Sequence, residues 1–460
     1  MGLVKINNYK DYWSSHPGLR NKLISQTMKR HRFDALSQHI SCNDPDKNPD
    51  LIRDKVHRYH AKKKSSLHPI LPACDKVRRK CLRNYKPHWE LSLNEAMVKY
   101  RGFKASVRKF FMPFKPIRTG FKIYVLAEAA TGFFINFTIH PHGGTPTKMV
   151  DIVMATAKHQ LNLYHHIFTD RLYTSVFLAP TLLAKRTYLT GAVKSNSKGL
   201  PKDFTTSQSN PNHKKVKHLN TCERGTFYTC QNGQLTSCLW KDSKVMMLLS
   251  SAHQGWRDPN TGTVVRKVAN ADGRLKKRCI PAPPQAVDYT KNMGGVDKGD
   301  QLRSYHTCSR KSQLWWHSIL YFLLDVARVN AWLCYKQHHT PAANDGSSAS
   351  TSGTDDDQGD GRVLTHSKFV LAVVSELIDG YATGDVPKQP PTCPVPGSNS
   401  AGHVSVKMPG RNARWCRWCR LKSTRRGCNV CGVNLCPGRC FIEFHSIKER
   451  EADSTTSTTD

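Results

Sequence analysis

Acidic side chains are scarce in this sequence. Its 460 residues carry 34 Asp and Glu against 70 Lys and Arg, a formal net charge of +36. Such an excess repels itself in a compact monomer and calls for a polyanionic partner. Nucleic acid is the first candidate, because each phosphate that is neutralised releases counterions; a basic but inert surface is the alternative. Long uncharged apolar runs are also missing. Met1 to Leu36 is polar and basic, without the apolar centre of a signal peptide. Gly2 does not make a myristoylation signal, because Ile6 stands where Ser or Thr is needed. The apolar run Ser318 to Leu333 is interrupted by Asp325, Arg328 and Asn330, and reads as a buried helix rather than a membrane span.

Apolar material is nonetheless sufficient for a sizeable core, at 38% hydrophobic residues, which argues against global disorder. Cysteine is plentiful: of 16 in the chain, six fall between Cys416 and Cys440. In an intracellular chain that clustering points to metal rather than disulfides.

The pattern of residues changes along the chain. Residues 1–88 are basic and helical in pattern, with Gly18 to Ile40 carrying apolar residues at helical spacing and Lys76 to Arg83 forming a tight basic run. Strand texture follows: Leu91–Val98, then a hairpin of Gly120–Ala127 and Gly132–Ile139. Pro146 to Gln160 reads as a helix with a Thr cap. Next come a short strand at Ile167-Phe168, a helix over Thr174–Lys185 and a strand over Tyr188–Val193. This is an α/β order with a mixed sheet. The polar block 198–285, with strands near Thr226–Thr229 and Lys244–Ser250, reads as an insertion. Residues 286–301 return to the core of 89–197, and 302–385 are helical, with a long helix over Gln313–Lys336, a low-complexity linker at 338–361 and a short helix over Ser367–Tyr381. A Pro-rich linker at 386–410, a cysteine-rich unit at 411–446 and a disordered tail at 447–460 complete the expected organisation.

Cys416-x-x-Cys419, Cys428-x-x-Cys431, Cys436, Cys440 and His445 place seven zinc-type ligands within thirty residues. Seven exceed one tetrahedral site and fall one short of two; His403 or Cys393 could supply the eighth, or one cysteine could be a spectator. Arg414, Arg417, Arg420, Arg425 and Arg426, interleaved with Trp415 and Trp418, suit a DNA reader, and a protein-interaction module is an equal reading. The acids suit two-metal chemistry, which needs several anionic oxygens from distant parts of the chain to hold paired Mg²⁺. Asp170 directly follows an apolar strand; Asp297 and Asp300 follow the turn Gly294-Gly295. Taken singly, an aspartate at such a place is more often a cap.

Several strings together resemble the piggyBac transposase family. They are Asp170-Arg-Leu-Tyr-Thr-Ser175, Asp288-Tyr-Thr-Lys-Asn-Met-Gly-Gly-Val-Asp297-Lys-Gly-Asp300-Gln301, Cys308-Ser-Arg-Lys311 with Trp315-Trp316, Leu91-Ser-Leu-Asn-Glu-Ala-Met97 with Tyr100-Arg-Gly102, Met112-Pro-Phe-Lys-Pro116 with Gly120-Phe-Lys122, and the terminal cysteine cluster with Phe441 and Phe444. The likeness runs from about Tyr12 to His445. It implies an RNase H-like core with an insertion domain, a helical flanking domain for dimerisation and DNA binding, and a metal-dependent triad of aspartates that excises DNA through hairpin ends and inserts it at TTAA. By position, the triad falls on Asn94, Asp170 and Asp297, with Asp170 and Asp297 as Mg²⁺ ligands and Asp300 as a supporting acid.

Asn94 is the departure that matters. The amide is nearly isosteric with Asp but neutral, so a site facing two dications is short one negative charge, a loss of several kcal/mol or roughly a thousandfold in rate. Glu95 is adjacent, but neighbouring strand residues point to opposite faces, so it cannot substitute without a bulge. Glu128-Ala129 stands where relatives tend to have Asp-Ser, and the chain begins inside what resembles the flanking helical domain, as though an upstream segment were missing. The expectation is a nuclear, transposase-derived protein, domesticated or decaying, that binds double-stranded DNA as a homodimer with a dead or crippled site. Two alternatives stand: an active TTAA-directed cut-and-paste transposase, alone or in a mixed dimer, and a zinc-module protein-interaction factor on a relic scaffold.

Overall fold

In a computed structural model, the described residues are 2–340, 363–378 and 403–445, apart from 141–147, 206–213, 255–261, 270–274, 409–412, 420–421 and scattered positions at 45–51, 58–59, 62–65, 103–106, 114 and 269. The expected linkers at 338–361 and 386–410, the tail at 447–460 and Cys393 fall wholly or mostly outside them. The chain divides into two compact units, residues 1–383 and 384–460.

The first unit opens with helices α1 (Lys22–Thr27), α2 (Arg30–His39), α3 (Lys55–Lys64) and α4 (Leu71–Asn84). The single helix expected over Gly18–Ile40 is broken at Met28-Lys29, both extended. Trp13 Nε1 donates to the Met28 carbonyl at 2.7 Å, which holds that break open. Strands β1 (Glu90–Lys99), β2 (Lys109–Phe111), β3 (Thr119–Glu128) and β4 (Phe134–Ile139) follow, then α5 (Met149–Ala157), β5 (His166–Thr169), α6 (Leu178–Leu183) and β6 (Tyr188–Ala192). The cap of α5 is Lys148, without a side-chain cap bond, rather than a threonine. The helix expected from Thr174 is shorter because Tyr173 and Thr174 donate their N–H groups to the Asp170 carbonyl and close a turn first.

Within the span expected as an insertion lie α7 (Lys214–Thr221), β7 (Phe227–Asn232), β8 (Leu235–Lys241), β9 (Val245–Ser250) and the ribbon β10 (Gly262–Ala269) and β11 (Leu275–Ala282). Helices α8 (Pro284–Asn292), α9 (Gly295–Tyr305), α10 (Trp315–His339) and α11 (His366–Ile378) complete the unit.

The central sheet runs β2-β3-β1-β5-β6-β9-β8-β7, with β4 also on β3. Its heart is β4-β3-β1-β5-β6, in which β1, β3 and β4 are antiparallel while β5 and β6 lie parallel to β1. That is the mixed sheet of the RNase H-like expectation. β9 pairs antiparallel with β6, so β7–β9 extend the same sheet. Alternation along β1 sorts side chains onto two faces. Leu91 and Leu93 pack with Tyr124, Leu126, Ile152 and Leu178 on one. Ala96 and Val98 pack with Ile123, Val125, Trp315 and Phe322 on the other. No helix among the described residues is long and apolar enough to cross a membrane.

The second unit carries short strands β12 (Ser405–Lys407), β13 (Arg414–Trp415), β14 (Ser423–Thr424) and β15 (Arg426–Cys428), with β12 on β15 and β13 on β14. Its small core is Cys416, Cys428 and Leu435. So small an apolar core does not by itself hold a unit of this size together.

Candidate active site and metal clusters

In the parallel pairing of β1 with β5, Leu93 lies beside Thr169. Asn94 follows on β1 and Asp170 directly follows the end of β5, the two strands lying about 4.8 Å apart. Asn94 belongs to the face of Ser92 and Ala96. That face is covered where α8 passes into α9: the Ser92 hydroxyl donates to the Met293 carbonyl at 2.8 Å. A Cβ on Gly295 would stand 2.7 Å from the Glu128 carbonyl and 2.9 Å from Ser92 Cβ. Gly295 therefore permits the close approach that the sequence suggested, while a Cβ on Gly294 would meet nothing; Asp297 and Asp300 sit on helix α9 rather than beyond a turn. Asp297 lies in the first turn of α9, at the end seated against β1, so the helix is brought to the face that holds Asn94.

Each carboxylate has a distinct surrounding. Asp170 Oδ1 accepts from the Arg171 N–H at 2.6 Å, and Asp170 lines a cavity of about 1060 Å³ with Arg171, Lys194, Asn196, Tyr289 and Met293. Asp300 is bridged by Arg303 at 3.0 Å. Burial, reinforced by the charge of Asp297, keeps its carboxyl above the usual range, against the pull of Arg303 and Lys115. Asn94 Oδ1 accepts from the Glu95 N–H at 2.9 Å. Glu95 takes the other face, where Tyr173 donates to it at 2.7 Å and Lys115 approaches to 3.7 Å. Of the three positions the resemblance assigns to the triad, Asp170 and Asp297 carry carboxylates and Asn94 a neutral amide.

Glu128, at the end of β3, is fully buried. It accepts from Tyr85 Oη at 2.5 Å, from the His88 N–H at 2.9 Å and from Thr131 Oγ1 at 2.5 Å. Burial alone would raise its carboxyl, but these donors outweigh it and the net displacement is downward. This acid ties the end of α4 to the sheet rather than facing Asn94.

In the second unit the seven sequence-predicted zinc ligands resolve into two sets of four once His403 is added: Cys416, Cys419, Cys436 and Cys440, and His403, Cys428, Cys431 and His445. Within each set the ligand atoms lie within 4.8 Å of one another, as tetrahedral zinc requires. The sets interleave along the chain, so neither can form without the other's loops. Burial raises the Cys416 thiol, yet backbone N–H groups of Cys436, Cys419 and Trp418 outweigh it and bring it down to about 6, in the thiolate range. His445 Nδ1 is 2.6 Å from the Phe441 carbonyl, which leaves Nε2, 3.5 Å from Cys431 Sγ, as the ligand atom.

A family model described as Transposase IS4, of the DDE type, matches residues 1–332. The chain belongs to the piggyBac-type transposase family. Human PiggyBac transposable element-derived protein 3 is 25% identical over 464 aligned residues, covering 97% of this chain and 68% of that protein. Human PiggyBac transposable element-derived protein 2 is 25% identical over 360, covering 73% and 54%. Among solved structures, the piggyBac transposase in a synaptic complex with hairpin DNA aligns with a TM-score of 0.63 at 22% identity, covering 95% of this chain and 85% of that one. This likeness is one of fold.

Within the piggyBac-type frame, motif reading overlooked how α9 is held. Lys298 Nζ donates to the Ala129 carbonyl at 2.7 Å and the Ala130 carbonyl at 3.3 Å. Gly132, at φ 80°, lets the β3–β4 turn meet Gly299, where a Cβ would lie 2.7 Å from its nitrogen. The signal was present in Asp297-Lys-Gly, but nothing in the sequence says which carbonyls the lysine meets.

Proposed function

We propose that this chain is a transposase-derived protein that holds double-stranded DNA in the nucleus without cutting it efficiently. One observation carries the reading: the position beside Asp170 on the covered face of β1 is an amide, and the nearest alternative acid, Glu95, is engaged by Tyr173 on the opposite face. Asp170 and Asp297 are the residues that would hold magnesium, with Asp300 in support. Magnesium, when bound, supplies activation of the attacking water and stabilisation of the leaving oxygen. Asn94 offers it an oxygen without charge, so affinity and transition-state stabilisation fall together.

DNA binding is supported by the +36 charge and by a solved relative held in complex with hairpin DNA. The paired zinc clusters would fold the second unit and present Arg417, Arg426 and Trp415 beside them. We place the protein in the nucleus, where DNA would be its partner, and carry a homodimeric state over from the family resemblance.

The test is a gel-shift titration against a terminal-repeat duplex at about 50 and 200 mM salt, with a plasmid excision assay in Mg²⁺. Steeply salt-dependent binding without excision is expected. Excision by the unaltered chain that disappears in Asp170→Ala would overturn the inactivity, and salt-insensitive binding would overturn the DNA reading in favour of a protein-interaction role for the zinc unit.

A further inference from the structure

An unbroken chain of side-chain hydrogen bonds runs through the sheet behind the carboxylate site. His166 Nε2 lies 2.8 Å from Thr190 Oγ1, and Thr190 Oγ1 lies 2.7 Å from Ser250 Oγ. Ser250 Oγ lies 2.9 Å from His253 Nδ1, and His253 Nε2 lies 3.0 Å from Asp288 Oδ2. Thr190 and Ser250 are register partners across β6 and β9, and both are fully buried. The chain thus crosses β5, β6 and β9 and ends on helix α8.

The direction of each bond follows from the acidic end. The hydrogen bond from His253, outweighing burial, holds the Asp288 carboxyl below its usual range. An ionised carboxylate only accepts, so His253 Nε2 carries a proton. With the ring neutral, Nδ1 accepts from the Ser250 hydroxyl, whose oxygen also takes the Ala252 N–H at 3.1 Å. Ser250 in turn accepts from Thr190, and Thr190 from His166. Burial brings His166 down to about 3, so that ring is neutral and donates through Nε2. Each hydroxyl both gives and receives. Turning any one of them strands a buried polar group, at about 1–3 kcal/mol.

What the chain joins gives it a role. β5 begins at His166 and ends just before Asp170. On α8, Tyr289 follows Asp288 and lines the Asp170 cavity, and the Met293 carbonyl accepts from Ser92. Gly295 then starts α9, with Asp297 in its first turn. The strand that delivers Asp170 and the corner that delivers Asp297 are therefore braced together by side chains that leave both carboxylates free of the brace.

We propose that His253, with Ser250, Thr190 and Asp288, forms a positioning network that holds the corner of α8 and α9 against β5, so that Asp170 and Asp297 meet the same ion. The inference rests on the magnesium reading above and adds what keeps its two acids in register.

The experiment uses the full zinc-loaded chain with terbium(III) as the probe, an oxygen-seeking ion whose luminescence is excited through a nearby tyrosine; Tyr289 shares the Asp170 cavity. Terbium affinity and melting temperature are measured for the unaltered protein, Asp170→Ala, Asp288→Ala, Asp288→Asn and Ser250→Ala. Loss of the signal in Asp170→Ala assigns it to the carboxylate site. Asp288→Ala and Ser250→Ala should each bind about tenfold more weakly, the effect of removing an outer partner of a metal site. Asp288→Asn, whose amide oxygen still accepts from His253, should bind like the unaltered chain. If Asp288→Ala does not fold, Ser250→Ala against Asp288→Asn carries the comparison. A merely structural contact would lower the melting temperature and leave terbium affinity unchanged in Asp288→Ala and Ser250→Ala. That result overturns the positioning role and leaves the magnesium reading intact. A signal that survives Asp170→Ala, or no terbium bound at all, overturns the magnesium reading and this inference with it.

Discussion

Tyr173 donates a 2.7 Å hydrogen bond to Oε2 of Glu95, and that contact commits the acid next to Asn94 to the opposite face of β1. The consequence is an electrostatic deficit that its neighbour cannot repair. Restoring the charge where it is missing should restore chemistry: Asn94→Asp should raise Mg²⁺-dependent strand cleavage by roughly a hundred- to a thousandfold over the unaltered chain. Asp170→Ala on that background should abolish the gain. Cleavage by Asn94→Asp no faster than by the parent would place the defect elsewhere.

Breaking the Tyr173 contact should cost stability without creating activity. Glu95 is 8% exposed, so Tyr173→Phe leaves a buried carboxylate with Lys115 as its remaining ion-pair partner. A loss of about 1–3 kcal/mol is expected in chemical denaturation. Cleavage appearing in Tyr173→Phe would mean that Glu95 can cross to the face of Asn94.

The sheet was legible in the sequence because its strands are long and apolar, with turn residues between them: β1, β3, β4 and β6 fall within two residues of expectation. β2, three residues beside a proline-bounded loop, gives no periodic signal. The break between α1 and α2 is decided by a tertiary bond from Trp13 that helical periodicity cannot register. Similarly, cysteine spacing identified the ligand types, but the division into two sets depends on His403, which stands outside the CxxC pattern. Opposite placement of Asn94 and Glu95 followed from strand alternation alone, whereas the positions of Lys298 and Lys115 required the fold.

Glu128 links folding to pH. Its folded carboxyl is displaced below the ordinary 4.5, so its contribution is fully present above about pH 4.5 and fades as pH falls through the lower folded value. Glu128→Gln keeps the shape but replaces one acceptor oxygen with an NH2 group, so either the His88 N–H or the Tyr85 and Thr131 hydroxyls lose their acceptor. It should lower stability by about 1–3 kcal/mol at neutral pH and flatten the decline of melting temperature below pH 4.5. A variant that declines as steeply as the parent would show that other groups govern acid sensitivity.

Metal content can be read directly in the second unit. Each of the two sets of four could hold one zinc ion, so two per chain are expected, and the sets interleave along the sequence. His403→Ala removes a ligand from one set only, yet that set's Cys428 and Cys431 lie between Cys419 and Cys436 of the other. Zinc measured after gel filtration should therefore fall from two equivalents to one or fewer, with increased protease sensitivity of residues 403–445. Chelation should unfold this unit, because a core of Cys416, Cys428 and Leu435 is too small to stand without metal, while leaving the melting of residues 1–383 in place. One equivalent in the unaltered chain, unchanged by His403→Ala, would mean that His403 is not a ligand and that one cluster holds no zinc.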